Sequence, residues 1–254
     1  MNVMDPVVDA LAEQQAELSE LLVGLAPQRW ALASRCEGWS VADVVLHLCQ
    51  THEMAIASLE RRLPAFLEAA AEGLAPAASV DDGADAMVAR ERGLPPDDLR
   101  QRWQTAADQL IRLFEEYDLH QRVTWVAGKL SARTLAATRL AETWIHTGDA
   151  AAGVGVQLPA ADRLRHVARL AWRTLPYAFA RAGRQLHGPV AFELSGPDGR
   201  RWDFVPEQAP TTTISGDGVA LCLVAARRVG AAGAGLRGEG PDADAVLELV
   251  RTYA

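Results

Sequence analysis

Between residues 139 and 149 the chain reads Arg139-Leu140-Ala141-Glu142-Thr143-Trp144-Ile145-His146-Thr147-Gly148-Asp149. No other stretch constrains the fold as tightly. On a helix, at about 100° per residue, Glu142 and His146 stand one turn apart on one face, with Arg139 and Asp149 within about 60° of them. Leu140 and Trp144 lie on the far side, and Ala141 and Ile145 flank the polar stripe. Such a helix is apolar nearly all round, so its polar residues face an interior. A buried carboxylate beside a buried imidazole is unfavourable unless both are compensated. A metal ion compensates both at once, and a Glu/His pair at i, i+4 offers it two ligands. A plain Glu–His hydrogen bond tying two bundle helices, with Arg139 as counter-ion, satisfies the same pattern, because Glu-x-x-x-His is an unspecific spacing.

The preceding 130 residues supply partners for that helix. Val7, Val8, Leu11, Leu18, Leu21 and Leu22 fall at helical spacing and predict a first helix over 5–24. A loop with two tryptophans, Trp30 and Trp39, follows. Ser40 with Asp43 three residues on forms a capping-box pattern, opening a second helix that runs to Pro64. His47 lies on the border of its apolar face; His52, five residues on, points about 140° away and cannot serve the same site. Residues 64–96 predict two short helices and loops. Asp97 or Asp98 then starts a third long helix through Trp103, Leu110 and Phe114. Trp125 to Ser131 reads as a connection, and Ser131 caps the fourth helix, which ends by Gly153–Gly155.

After Pro159 the pattern changes. One helix is predicted over 160–183. Strand-like pieces follow at 189–195, 201–205 and 211–215, with a Gly-Pro-Asp-Gly turn at 196–199, and two helices close the chain at 217–228 and 242–253. The predicted fold is an antiparallel four-helix bundle over 1–155, followed by a small α+β domain over 156–254.

Charge and composition narrow the function. The chain of 254 residues is 49% hydrophobic, carries net charge −8 and has a single lysine, Lys129, so no basic patch for nucleic acid or an anionic membrane is expected. No apolar run nears the roughly 18 residues of a membrane span, and the N-terminus lacks the pattern of a signal peptide. Cys36, Cys49 and Cys222 are unclustered and odd in number, which predicts reduced thiols in a cytoplasmic protein. Small-molecule chemistry by a monomer or homodimer is the expectation left.

The run Cys36-Glu37-Gly38-Trp39-Ser40-Val41-Ala42-Asp43-Val44-Val45-Leu46-His47-Leu48 resembles a signature of the mycothiol-dependent maleylpyruvate isomerase family, which opens the second helix of a DinB-like bundle. Arg139, Glu142, Trp144, His146 and Asp149 resemble the family's second signature, an Arg-x-x-Glu-x-Trp-x-His-x-x-Asp run on the fourth helix. Residues 189–252 resemble its α+β tail, of sterol-carrier type. Arg163–Val167, Ser195–Gly199 and Leu223–Arg228 are similar to an actinobacterial branch known mainly as metal-binding proteins.

The resemblance implies a DinB-like bundle with a divalent metal, usually zinc, on His47, Glu142 and His146. Three protein ligands with a fourth position open is a catalytic arrangement, and two imidazoles with one carboxylate also suit iron, nickel or manganese. Asp149 is then placed to accept a ligand imidazole N–H. Arg139 either hydrogen-bonds the free oxygen of Glu142 at i+3 or anchors an anionic substrate. The family also uses an arginine of the second domain near the thiol or substrate, for which Arg227 and Arg228 are the candidates; both equally suit solvated cations at a helix end. The implied activity is that of an isomerase or transferase in which the metal activates a low-molecular-weight thiol cosubstrate, mycothiol-like, for addition to an unsaturated or electrophilic small molecule. The alternatives are a thiol-independent isomerase, cyclase or hydrolase using the metal as a Lewis acid, and a non-catalytic binding module stapled by the metal.

Overall fold

A computed structural model describes residues 5–252. The chain divides into two compact units, Met1–Leu158 and Pro159–Ala254.

The first unit runs α1 (Pro6–Val23), α2 (Val41–Leu59), α3 (Leu63–Ala71), α4 (Val80–Glu91), α5 (Pro96–Glu116), β1 (Arg122–Trp125), β2 (Gly128–Ser131) and α6 (Ala132–Gly153). Helices α1, α2, α5 and α6 form the bundle: α2 packs on α5 and α6, and α1 packs on the same two helices. The core is built from Leu11, Leu18 and Leu22 of α1, Val45 and Leu48 of α2, Trp103, Leu110 and Phe114 of α5, and Leu135 and Leu140 of α6. Each such side chain contributes about 1.5–3 kcal/mol by leaving water. Helices α3 and α4 pack against α2.

Local chemistry sets the two helices that matter most. The Ser40 side chain accepts from the Asp43 N–H while the Asp43 carboxylate accepts from the Ser40 N–H, so α2 starts in the predicted capping box. Arg92 adds a 2.8 Å bond to the same carboxylate. Ser131 caps α6 by accepting from the Thr134 N–H. At the other end of α6, Gly153 lets the 32–40 loop approach closely, since a Cβ there would lie 2.5 Å from the Ala33 carbonyl oxygen.

The second unit holds α7 (Arg165–Arg173), α8 (Leu175–Arg181), β3 (Val190–Ser195), β4 (Arg201–Phe204), β5 (Thr212–Asp217), α9 (Gly218–Ala225), β6 (Arg237–Glu239) and α10 (Ala243–Leu249). Its sheet has the order β4-β3-β5-β6, with β3 and β5 parallel and the outer pairs antiparallel. Phe192 is the centre of the register, opposite Phe204 on one side and Ile214 on the other. The architecture is thus the expected helical bundle with a small α+β unit.

Three local expectations fail. The 125–131 connection is a β-hairpin, β1–β2, with Trp125 opposite Gly128; four-residue strands with two buried positions are too short to announce a period. The single helix over 160–183 breaks at Thr174, because Pro176 has no N–H for an interior helical position and instead sits in the first turn of α8. Strand β6 is three exposed residues with no alternation to read. Among the described residues no helix is long and apolar enough to cross a membrane.

Ser40→Ala should lower the stability of the protein by about 1 kcal/mol, the usual worth of an N-cap. Urea denaturation measures it; an unchanged midpoint would show that the α2 start is held by packing alone.

Candidate metal centre

Helix α2 presents His47 and α6 presents Glu142 and His146 to one buried spot. His47 Nε2 lies 2.8 Å from Glu142 Oε1, and His146 Nε2 lies 3.5 Å from the same oxygen. The two imidazoles meet nearly edge-on, with centroids 4.9 Å apart. One ligand-type atom from each of the three residues falls within 4.8 Å of the others. His47 is 8% exposed and Glu142 7%, so the cluster is largely removed from water. The Trp39 ring covers it, 5.0 Å from His47 and 6.3 Å from His146.

The neighbouring groups orient the rings. Asp149 Oδ2 lies 3.0 Å from His146 Nδ1, so that N–H has its acceptor and Nε2 faces Glu142. The Cys36 thiol donates to Asp149 Oδ2 at 3.2 Å and lies 3.7 Å from His146 Nδ1. Cys36, His146 and Asp149 therefore form a second convergence of ligand-type atoms, sharing His146 through its other nitrogen.

Burial and hydrogen bonding oppose each other at every titratable group. Burial would push the Glu142 carboxyl up, but hydrogen bonds from His146 and His47 and the Arg139 charge hold it well below the usual carboxylate range. Burial would lower His146, but Asp149, Cys36 and Glu142 raise it well above an ordinary histidine. For His47, burial outweighs its bond to Glu142 and the ring is held neutral. The cluster is thus an ionised carboxylate between one protonated and one neutral imidazole. Two imidazole nitrogens and a carboxylate converging in the bundle interior are a donor set that a divalent cation fits.

Arg139 is the exception to the expected pattern. It is 2% exposed, and its guanidinium lies 4.8 Å from the Trp125 ring centroid. Its Nε and Nη1 have no hydrogen-bond partner, so the expected bond to a free Glu142 oxygen is not formed. The Trp125 face holds the guanidinium, and both histidines occupy Glu142 Oε1.

Helix α9 ends at the tandem arginines. Arg227 adopts a left-handed φ of 60° just past the helix and donates to the Glu248 carbonyl at 2.7 Å, while Arg228 donates to the Ala226 carbonyl at 2.9 Å. His187 is bonded to Asp242 at 2.6 Å within the second unit. His52 faces α1, with Nε2 3.1 Å from Gln15 Nε2. Burial first, and then the Arg139 charge, push His52 down to about 3. The contacts of Cys36 and the cover by Trp39 were not legible from spacing: both sit in an aperiodic loop. The only signal was their position just ahead of the α2 cap.

A bundle with a buried His/Glu/His cluster, joined in one chain to a small α+β unit, defines the class: helical-bundle proteins with a candidate metal centre between two helices. The sequence profile described as Mycothiol maleylpyruvate isomerase N-terminal domain matches residues 11–151, and the chain belongs to that family. Two uncharacterised proteins of Mycobacterium tuberculosis, from strains CDC 1551 / Oshkosh and H37Rv, are each 29% identical over 98% of this chain and 95% of their own length. Crystal structures of a mycothiol-dependent maleylpyruvate isomerase and of its histidine-to-alanine mutant share the fold, with TM-scores of 0.61 and 0.60 at 19% identity. Each alignment covers 93% of this chain and 94% of the other.

The protonation pattern predicts how the metal-free protein responds to pH. Below about 6.5, the ordinary histidine value, the unfolded chain gains protons at His47 and His52 that the folded chain refuses, so stability rises as pH rises toward 6.5. Above 6.5 the folded state keeps the His146 proton that the unfolded chain releases, and that contribution is lost as pH climbs through the raised value. Chemical denaturation of metal-stripped protein should show a maximum near pH 6.5. A monotonic rise through pH 8 would contradict the assignment of the proton to His146.

Proposed function

We propose that the protein is a metal-dependent enzyme that activates a low-molecular-weight thiol, mycothiol or a close analogue, for addition to an unsaturated or electrophilic small molecule, as an isomerase or a transferase. The observation that carries this reading is the convergence of the His47, Glu142 and His146 ligand atoms within 4.8 Å in the bundle interior of a chain of this family. A divalent ion held by these three, zinc in the first instance, would keep a position for a thiol and lower its pKa into the neutral range.

The chain's own residues supply the rest. Asp149 holds the His146 N–H and so fixes that ring's orientation and tautomer. Glu142 provides a carboxylate already ionised in the interior. Trp39 shields both rings from water. The thiolate sulfur would add to the electrophilic double bond, its π pair moving onto the conjugated carbonyl as an enolate. In an isomerase the enolate would expel the thiolate after rotation about the new single bond; in a transferase the enolate carbon would take up a proton and the sulfur would stay.

Metal analysis of the purified protein should find about one divalent ion per chain, and His47→Ala combined with Glu142→Ala should lose it. Conversion of an unsaturated acid should require added thiol. Full metal in the double variant overturns the ligand assignment; turnover without thiol overturns thiol activation in favour of direct Lewis-acid chemistry.

A further inference from the structure

A second set of ligand-type atoms converges on His146, at the ring nitrogen that does not face Glu142. Cys36 Sγ lies 3.2 Å from Asp149 Oδ2 and 3.7 Å from His146 Nδ1, and those two atoms are 3.0 Å apart. A tetrahedral zinc-sized ion, at its usual bond lengths to sulfur, nitrogen and oxygen, has ligand–ligand edges of about 3.3–3.6 Å. The three edges here lie within about 0.4 Å of those values, so small side-chain movements seat an ion between them. The two nitrogens of an imidazole point to different sides of the ring, so this ion is not the one that His47 and Glu142 would share.

The trio is held in place and within reach of solvent. Asp149 is 1% exposed and stands one turn after His146 on α6. Cys36 comes from the 32–40 loop, which the Ala33–Ser40 bridge and the Arg35 N–H bond to the Asp149 carbonyl seat on the end of that helix. Cys36 and His146 are half-buried, which leaves an ion a way in and a fourth position for water. Cys49 and Cys222 are fully buried, and burial pushes both thiols up. Neither belongs to a comparable cluster among the described residues. One sulfur with one imidazole and one carboxylate suits a thiophilic divalent ion of the zinc type, and not magnesium or calcium, which take oxygen.

We propose that Cys36, His146 and Asp149 form a second binding site, for a thiophilic divalent cation, with the His146 ring bridging it to the first ion as an imidazolate. On binding, the cation replaces the protons that now lie between these atoms: the Cys36 thiol and His146 Nδ1 each release one to water. An ion so held ties the 32–40 loop, and Trp39 with it, to α6. Two divalent ions across one imidazolate stand about 6 Å apart and repel, so the second is held more weakly and fills on titration. The inference shares only His146 with the metal-centre reading.

The test titrates reduced, metal-stripped full-length protein with cadmium, a thiophilic probe whose bond to a thiolate gives an ultraviolet charge-transfer band. Equilibrium dialysis counts the bound ions. Wild type should take up about two ions per chain and show the band. Cys36→Ser should bind about one ion fewer and lose the band, its remaining ion showing that the bundle is folded. His47→Ala combined with Glu142→Ala should also bind about one ion fewer but keep the band. A single ion per wild-type chain, or a band that survives Cys36→Ser, overturns the inference. So does loss of the band from the double variant, which would make Cys36 a further ligand of the first ion. An unchanged ion count in that variant, with the band present, supports this site and overturns the metal-centre reading instead.

Discussion

One carboxylate oxygen shared by two imidazoles organises the interior of the first unit. Glu142 Oε1 receives His47 from α2 and His146 from its own helix, so α2 and α6 are joined by a hydrogen bond to an ionised carboxylate as well as by apolar packing. Removing either imidazole would leave a buried charge less well satisfied, the costly case for interior ion pairs. The arrangement works only if both helices keep their rotational register. The capping box at Ser40 defines where α2 begins and hence where His47 points. Helix α6 runs 22 residues without interruption, which keeps Arg139, Glu142, His146 and Asp149 on one stripe.

The loop before α2 depends on the same helix. Its Ala33–Ser40 bridge and the Arg35 N–H to Asp149 carbonyl bond hold it against the end of α6. Gly153 has the close contact with Ala33 that any side chain would block. The consequence is chemical: this seat carries Cys36 to Asp149 and Trp39 over both histidines. A glycine at the end of one helix thereby decides what covers the cluster several residues away.

Much of this was legible because it is periodic. The helical stripes of the bundle, the Ser40 and Ser131 caps, and the one-turn spacing of Glu142 and His146 are properties of local sequence, and the structure has them. His47 could be set on the border of its helix but not brought to Glu142 by spacing alone, since that meeting is a contact across 95 residues; the family resemblance supplied it. The hairpin at 122–131 and strand β6 escaped because short strands carry too few alternations to exceed chance. Pro176 should have divided the 160–183 segment, and its proline signal was outweighed by apolar spacing on either side. The environment of Arg139 was beyond reach for a different reason. Its partner, Trp125, lies on a strand that no pattern announced.

The polar groups buried around the cluster separate those that satisfy each other from those that do not. Thr143 and Thr147 donate to carbonyls one turn back in α6, at 2.8 and 2.6 Å, and His52 meets Gln15 across the helix interface. The unpartnered atoms at Gln50, His52 and Trp103 are single neutral sites on side chains otherwise held by packing or by another bond. Arg139 differs in kind: it carries a full charge, and two of its nitrogens lack any acceptor. An aromatic face compensates a cation only in part. Replacing the arginine by a long apolar side chain would suit the bundle better as a bundle, as it often does for buried charges. That a cation nonetheless lies one turn from Glu142 on the stripe shared with His146 places a buried charge with idle donors next to a carboxylate held well below its ordinary range.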